Sequence, residues 1–185
     1  MYPICIPLLL LDVDGVISLF GFDRHRPPAG RYVLVDGHLH FLSGAAGALI
    51  AELEPFYELV WCTGWEERAD AHLPEALGVP SGLEHVRLQR EQPAVTAAER
   101  DRGAGLRHWK LDAIDAFAGP ERALAWLDDA HDDSCTAWAA GRGGPTLLLA
   151  TDAAHGITAA HVRRLLDWAG ALRPGDCASA GQNEP

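Results

Sequence analysis

Runs of apolar residues recur along the chain and alternate with stretches of helical periodicity. The first run, residues 8–13, is apolar on both faces, which is typical of a buried central strand. The other predicted strands are 57–62, 83–88, 123–127 and 146–150. The predicted helices are 43–53, 66–77, 109–118, 133–140 and 158–172. This alternation predicts an α/β fold, a Rossmann-like three-layer sandwich around a central parallel sheet of five strands.

A hairpin is predicted between the first strand and the first helix. Residues 32–35 and 38–41 favour β-structure and flank Asp36-Gly37, a dipeptide that favours a type I′ turn. We expect the hairpin to form a small flap within residues 16–42, and we expect Ser43 to cap the next helix. No insertion has the size of a large cap domain.

The remaining segments indicate one domain with a polar insertion and a tail. Residues 1–172 are expected to form a single domain, since 185 residues suffice for one full core. Residues 89–107 are polar and Arg-rich without a clear period, which predicts a loop or a weak helix. Residues 173–185 are rich in Pro, Gly and Ser and are expected to be disordered.

Composition narrows the classes of partner. The chain is 48% hydrophobic, as expected of a globular protein, and has a formal net charge of −11. That charge argues against extended nucleic-acid binding and against an anionic membrane surface. No two cysteines form a C-x-x-C pair, so zinc binding has little support and a reducing, cytoplasmic location is expected. The first apolar run is short and ends in acid, unlike a membrane span or a signal peptide.

Polar side chains stand where three of the predicted strands end. Asp12 and Asp14 follow the first strand, Thr63 ends the second, and Asp128 ends the fourth. Lys110, the only lysine, precedes that fourth strand. The ligand crevice of a parallel sheet lies at the carboxyl ends of its strands, so these groups are expected to converge. Acids two residues apart on a strand share a face and repel, unless a cation and a phosphate ester neutralise them.

Clustered carboxylates with one ammonium and one hydroxyl suit phosphoryl transfer. One carboxylate can attack phosphorus, and a second can protonate the leaving oxygen and later activate water. A Mg²⁺ ion bound by oxygen ligands would offset the repulsion and bridge to the phosphate. Simpler explanations stay open: Asp-Gly is common in turns, Thr63 can cap a helix, and Lys110 can be a solvated helix residue.

In order and type, these residues resemble the four motifs of the haloacid dehalogenase-like phosphohydrolase superfamily. The match spans roughly residues 6–152 and comprises Leu10-Leu11-Asp12-Val13-Asp14-Gly15-Val16, Val60-Trp61-Cys62-Thr63, Lys110 and Trp126-Leu127-Asp128-Asp129. The resemblance implies that Asp12 is the nucleophile and that Asp14 is the general acid and base. It implies a Mg²⁺ site formed by Asp12, the Asp14 carbonyl and Asp128, and a phosphate site formed by Thr63, Gly64 and Lys110.

The fourth motif departs from the superfamily pattern in one respect. Many members have Gly before its first Asp, where this chain has Leu127. Asp129, Asp132 and Asp133 are therefore further candidates, either as metal ligands or as groups that support the ligands. Within the superfamily, the Trp-rich stretches resemble the small bacterial group linked to "Swiss army knife" RNA-repair proteins. Those stretches are residues 61–66, 108–110 and 126–129.

The resemblance implies a Mg²⁺-dependent phosphatase, and open access to the site together with local Arg residues favours a nucleotide or a phosphorylated nucleic-acid end as its substrate. A small-metabolite phosphatase and a non-catalytic binding module of the same fold are the alternatives. Basic flap residues, together with the Arg-rich segment 87–107, are expected to guide an anionic substrate. Those flap residues are Arg24, Arg26 and Arg31. Whether Trp65, His38 or His40 contacts the substrate stays open.

Overall fold

The computed structural model describes residues 6–88 and 107–176. Its strands are β1 (Leu8–Leu11), β2 (Ser18–Leu19), β3 (Gly30–Val35), β4 (His38–Ser43), β5 (Glu58–Trp61), β6 (Glu84–His85), β7 (Leu124–Asp128) and β8 (Thr146–Ala150). Its helices are α1 (Ala46–Ala51), α2 (Glu67–Leu77), α3 (Leu111–Ala118), α4 (Asp133–Gly141) and α5 (Ala159–Ala171), followed by a 3₁₀ turn at 174–176.

The central sheet has five parallel strands in the order β6-β5-β1-β7-β8, which confirms the predicted parallel sheet. β1 lies at its centre, where Leu11 pairs with Trp61 of β5 and with Leu127 of β7. All four leucines of β1 are fully buried, and each contributes about 1.5–3 kcal/mol by leaving water. The chain builds outward from β1 through β5 and β6, then crosses to β7 and β8. β1 therefore marks the switch point at which such sheets bind ligands.

Helices cover both faces of this sheet, so the domain has three layers. Leu8 and Leu10 lie in one hydrophobic core, with residues of α3 and α4. Leu9 and Leu11 lie in the other core, with residues of α1, α2 and α5. Two covered faces explain why β1 is apolar along its whole length instead of alternating with polar residues.

The predicted flap is part of a small antiparallel sheet with the strand order β2-β4-β3. The turn between β3 and β4 is as predicted, because Asp36 and Gly37 have φ angles of 48° and 82°, which a type I′ turn requires. β2 adds a third strand to the hairpin by pairing Ser18 with Leu42. A two-residue strand leaves no recognisable alternation in the sequence, so the pattern did not reveal it.

Side chains of the hairpin and of α2 hold the flap against the domain. Arg31 donates to the Ala76 carbonyl at 2.5 Å, and Arg68 donates to Asp36 at 2.7 Å. His72 lies 3.6 Å from the same Asp36 carboxylate. Exposed pairs of this kind contribute about 0–1 kcal/mol each, so together they orient the flap more than they stabilise the fold.

Two elements differ from the sequence prediction by more than two residues at one end. Ser43 belongs to β4, where it pairs with Gly30, so α1 begins only at Ala46 and has no side-chain cap. The strand predicted over 83–88 is limited to Glu84–His85 at the sheet edge.

The predicted loop over 89–107 and the predicted tail over 173–185 lie mostly outside the described residues. Only Arg107 and residues 173–176 of these two segments are described. Across residues 6–88 and 107–176, no helix has both the length and the apolar composition needed to cross a membrane.

Candidate active site

The carboxyl ends of β1 and β7 bring two predicted acids side by side. Because Leu11 pairs with Leu127, Asp12 and Asp128 follow on adjacent strands with their side chains on the same face. Their residues are 7% and 0% exposed, respectively. Lys110 reaches them from the N-terminus of α3 and is only 2% exposed. Three charged groups are therefore buried together at the centre of the sheet edge.

The Lys110 ammonium joins these two carboxylates. Its Nζ donates to Asp12 Oδ2 at 2.7 Å, to Asp128 Oδ2 at 2.6 Å and to the Cys62 carbonyl at 3.0 Å. All three protons of the ammonium therefore have acceptors. Burial opposes the charge, but Asp12, Cys62 and Asp128 raise the pKa of Lys110, so the amine is protonated at neutral pH.

Neighbouring N–H groups fix both carboxylates. Asp12 Oδ1 accepts from the Val13 amide at 2.7 Å. Asp128 Oδ1 accepts from the Ala130 amide at 2.9 Å, and its Oδ2 accepts from Trp126 Nε1 at 3.1 Å. The orientation of each acid is therefore set by the protein before any ligand binds.

The two acids differ in their electrostatic environment. Burial raises the pKa of Asp12 to about 6. The positive charge of Lys110 opposes this rise, and the negative charge of Asp128 adds to it. Burial also acts against ionisation of Asp128, but Lys110 holds the pKa of that carboxyl below its usual value. Asp128 is thus the firmly ionised partner of Lys110, while Asp12 is a less stabilised carboxylate and hence the more basic of the two.

Asp12, Asp128 and Asp129 form a group that could hold a metal ion, because one carboxylate oxygen of each lies within 4.8 Å of the others. Lys110 balances one of the three negative charges, and ionised acids about 4 Å apart repel by roughly 4 kcal/mol at an effective dielectric constant of 20. Burial, and then Asp128, raise the pKa of Asp129. Oxygen donors alone fit a hard divalent cation. Asp129, predicted as an alternative or supporting group, is thus a member of the cluster itself.

Gly15 makes room for the Asp129 carboxylate. Its φ angle is +74°, and a Cβ built there would lie 2.2 Å from Asp129 Cγ. Its carbonyl accepts from Thr151 Oγ1 at 2.8 Å, which ties this turn to the end of β8. Glycine is therefore required by both the backbone conformation and the space available.

Asp14 lies near this cluster, but its carboxylate is not part of it. The side chain is 52% exposed, and its Oδ2 accepts from Trp65 Nε1 at 3.0 Å. Its Oδ1 is 3.9 Å from His40 Nδ1, too far for a hydrogen bond. Asp12 and Asp14 thus occupy different environments, one buried against an ammonium and one open to solvent.

Thr63 and Gly64 follow β5 at the same sheet edge. Thr63 is completely buried, and its Oγ1 accepts from the Trp65 amide at 3.4 Å. The N-cap of α2 is Glu66, so Thr63 does not cap that helix. Gly64 is exposed, and a Cβ there would meet only Trp109 among the described residues, at an ordinary contact distance of 3.8 Å.

Asp132 and Asp133 serve the start of α4. Asp132 is the N-cap, and its Oδ1 accepts from the amides of Ser134 at 2.9 Å and Cys135 at 3.1 Å. Asp133 is exposed in the first turn. Neither belongs to the carboxylate cluster found among the described residues.

Besides the contact of Trp65 with Asp14, three further contacts at the site were missed by reasoning from sequence. Trp126 donates to Asp128, and the signal was available, because residues two apart on a strand share a face. The Cys62 carbonyl contacts Lys110 through its backbone, which no residue type reveals. Thr151 donates to Gly15 across 136 positions of sequence, so only the fold brings them together.

Neither a scan against protein-family models nor a search of curated proteins found a match to this chain. The resemblance to a superfamily therefore depends on the motifs and on the chemistry of the side chains that they supply.

Proposed function

We propose that the protein is a Mg²⁺-dependent phosphatase that works through an aspartyl-phosphate on Asp12. One observation carries the proposal: buried Asp12 shares the Lys110 ammonium with Asp128 at the switch point of the sheet. A structural ion pair needs only one acid. The further acids Asp14 and Asp129 at this edge add repulsion, which catalysis explains better than packing does.

The motif order supports membership of the haloacid dehalogenase-like superfamily. The parallel sheet with β1 at its centre and the small flap after it agree with that assignment. The residues that define the motifs are all present, which favours an enzyme over a non-catalytic module of the same fold.

Asp12, Asp128 and Asp129 would hold the Mg²⁺ ion, since their oxygens converge and oxygen is the donor that Mg²⁺ prefers. When bound, the ion would offset the charge of the acids and polarise the phosphate. The Asp14 carbonyl is a further candidate ligand by resemblance. This assignment explains why acids gather around Gly15, where the chain leaves room for Asp129.

In the first step, a carboxylate oxygen of Asp12 attacks phosphorus, and the bond from phosphorus to the ester oxygen breaks. Protonated Asp14 gives its proton to that oxygen, so the product leaves as an alcohol. The more basic character of Asp12 suits the nucleophile, and the half-exposed position of Asp14 suits a group that exchanges protons.

In the second step, ionised Asp14 takes a proton from water as the water oxygen attacks phosphorus. The bond from phosphorus to Asp12 breaks, which returns the carboxylate and releases inorganic phosphate. Thr63, Gly64 and Lys110 would hold the phosphoryl oxygens through hydroxyl, amide and ammonium protons, and Lys110 would exchange one of its three present acceptors for a phosphoryl oxygen. Lys110 already contacts the nucleophile, so it lies within reach of a group bound there.

The substrate class that we propose is a nucleotide or a phosphorylated nucleic-acid end. Arg24 and Arg26 are exposed in the segment that leads into the flap, whereas Arg31 is occupied by the Ala76 carbonyl. A local positive charge on a chain of net charge −11 favours an anionic substrate of limited length. Charge reversal at Arg24 and Arg26 should lower kcat/KM for such substrates and should affect an aryl phosphate less, because that ester carries no charge beyond its reacting phosphate.

A phosphatase screen with Mg²⁺ tests the activity. The screen should span an aryl phosphate, nucleotides, sugar phosphates and oligonucleotides with 3′- or 5′-phosphate. Asp12→Asn should abolish turnover, because the amide cannot act as the nucleophile. Asp167→Asn, an exposed acid on α5, is the matched control and should retain wild-type activity. Turnover that survives in Asp12→Asn would contradict the mechanism, and a wild-type protein inactive on every class would contradict the function.

A further inference from the structure

Trp65 makes a polar contact with Asp14 that core packing does not require. Its indole Nε1 donates to Asp14 Oδ2 at 3.0 Å, while the residue as a whole is only 6% exposed. Asp14 is 52% exposed, and Trp65 is 51 positions away in sequence. A buried ring therefore extends its only polar atom to the carboxylate assigned above as the general acid.

Two side chains pack near the indole of Trp65. The His40 ring packs against it edge-on, with centroids 4.4 Å apart and an interplanar angle of 61°. The guanidinium of Arg68, a residue of α2, lies 6.0 Å from the centroid of the indole ring. The Trp65 amide also donates to Thr63 Oγ1. The ring cannot swing away from Asp14 without breaking these contacts.

Both supports of the indole are linked to the flap. His40 belongs to β4, and its Nδ1 lies 3.2 Å from Ser18 Oγ on β2. Arg68 is bound by Asp36, in the turn between β3 and β4. The small antiparallel sheet thus determines where the indole N–H points.

We propose that Trp65 is a positioning residue for the general acid Asp14. This inference depends on the proposed function, since it assigns a task within that reaction. The indole N–H can only donate, so it occupies Oδ2 as an acceptor and leaves Oδ1 to carry the acidic proton. A general acid acts only within about 2.6–3.2 Å of the oxygen that it protonates. A half-exposed carboxylate without the indole would sample other rotamers, and a misplacement of about 1 Å can cost on the order of 100-fold in rate.

The dependence of rate on the leaving group distinguishes this task from a purely structural one. A dinitrophenolate leaves without a proton, whereas an alkoxide needs one. In Trp65→Phe, kcat/KM for an alkyl phosphate should fall about 10- to 100-fold, and kcat/KM for dinitrophenyl phosphate should change less than about threefold. The ratio of the two values does not depend on the fraction of correctly folded enzyme. An equal loss for both substrates, or no loss for either, would overturn the proposal.

Two further variants make the kinetic test specific. Trp168→Phe alters a ring of α5 that stacks on Tyr57, and it should leave the ratio unchanged. If Trp65→Phe fails to fold, His40→Ala removes the ring that supports the indole and should shift the ratio in the same direction. Asp14→Asn supplies the reference for complete loss of the acid. An unchanged ratio in both Trp65→Phe and His40→Ala, alongside a changed one in Asp14→Asn, would refute the inference alone.

A spectroscopic measurement tests the hydrogen bond without any turnover. Trp65→Phe identifies the Trp65 indole signal in a ¹H–¹⁵N spectrum, and Asp14→Ala should move that signal while the Trp168 signal stays in place. A Trp65 signal that does not move would overturn the inference. A wild-type protein without phosphatase activity would overturn the proposed function and the catalytic role together, even if the signal moves.

Discussion

At the scale of single residues, the site is governed by a shortage of positive charge. One ammonium serves two buried carboxylates, and a third acid lies within 4.8 Å of them. Such an arrangement is stable only while Lys110 stays in place, because an isolated buried carboxylate has neither water nor a counter-ion. The same shortage creates the demand for a cation.

Replacement of Lys110 by methionine tests this dependence. Lys110→Met should lower the free energy of unfolding in the absence of metal by about 3–5 kcal/mol, because it leaves Asp12 and Asp128 buried without a partner. Urea denaturation in EDTA measures the loss. Adding Asp128→Asn to this variant should recover part of the stability, since it removes one uncompensated charge. A double variant less stable than Lys110→Met would contradict the account.

A substitution at Gly15 can separate the effect of backbone strain from that of a steric clash with Asp129. Gly15→Ala should weaken Mg²⁺ binding by ~10-fold or more, because the new methyl group displaces Asp129. Gly21→Ala is the matched control, since Gly21 has a φ of +75° and no atom of the described residues lies within 4 Å of where its Cβ would stand. Both should lose about 1 kcal/mol from backbone strain. Titration calorimetry should detect weaker Mg²⁺ binding only in Gly15→Ala, and equal affinities would disprove the steric role.

At the scale of elements, the ends of the strands and helices determine which acids join the carboxylate cluster. Asp128 and Asp129 lie at the end of β7 and point into the site, whereas Asp132 turns back to cap α4. Four positions along the chain are enough to change the task of a carboxylate. Sequence proximity to a motif is therefore a weak guide to metal binding.

Experiments should distinguish the role of Asp132 from that of Asp129. Asp132→Ala should cost about 1 kcal/mol of stability through loss of the cap and leave Mg²⁺ affinity unchanged. Asp129→Asn should lower that affinity ~10-fold or more with little loss of stability in EDTA, since burial and Asp128 already disfavour its charge. Calorimetry and urea denaturation of both variants give the comparison. A loss of Mg²⁺ affinity in Asp132→Ala would contradict the division of roles.

A histidine at the start of α5 is expected to make a pH-dependent contribution to the stability of the fold. His161 Nδ1 accepts from the Thr158 amide at 3.1 Å, and burial lowers the pKa of His161 from its ordinary value of 6.5. Protonation removes the accepting lone pair. The pKa of His161 is lower in the folded protein than in the unfolded chain. The stabilisation by this hydrogen bond is therefore complete above about pH 6.5, and it is lost as the pH falls through the pKa of the folded protein.

His161→Gln isolates this contribution, since glutamine can accept the same bond without titrating. When the pH is lowered from about 7.5 to about 5, the free energy of unfolding of the wild type should fall by on the order of 1 kcal/mol more than that of the variant. Urea denaturation at both pH values measures the difference. Parallel losses in the two proteins would show that the His161 contact does not titrate.

Elements and site residues differed in how far the sequence could predict them. Four strands of the central sheet were predictable because burial on both faces leaves long apolar runs, and the hairpin was predictable from Asp36-Gly37. The fifth strand, β6, was predicted within residues 83–88, but its two-residue length was not. β2 is also two residues long and carries too little pattern to be predicted. Asp12, Lys110 and Asp128 were predictable because their types and order are chemically unusual. The contact of Trp65 with Asp14 was not, because it depends on how the flap packs against the sheet.

At the scale of the whole molecule, the charge of the chain and the location of the site act together. A net charge of −11 already disfavours the compact state, and the fold concentrates three interacting acids at its centre. Salt in general screens the repulsion that arises from the net charge, whereas a bound ion offsets the repulsion among the three clustered acids. The two effects can therefore be separated by the choice of cation.

Magnesium should accordingly stabilise the folded protein beyond the effect of ionic strength. A ligand that binds only the folded state at 100 times its Kd adds about 2.7 kcal/mol, and sodium chloride of equal ionic strength should add much less. Thermal or urea denaturation with each salt provides the measurement. Asp129→Asn should lose most of the Mg²⁺-specific increment, because it replaces a charged carboxylate ligand by a neutral amide without leaving Lys110 unpaired, while Asp167→Asn should retain it. Equal stabilisation by both salts would mean that the acids are only screened. A Mg²⁺ increment that persists in Asp129→Asn would mean that the ion binds elsewhere on this acidic chain.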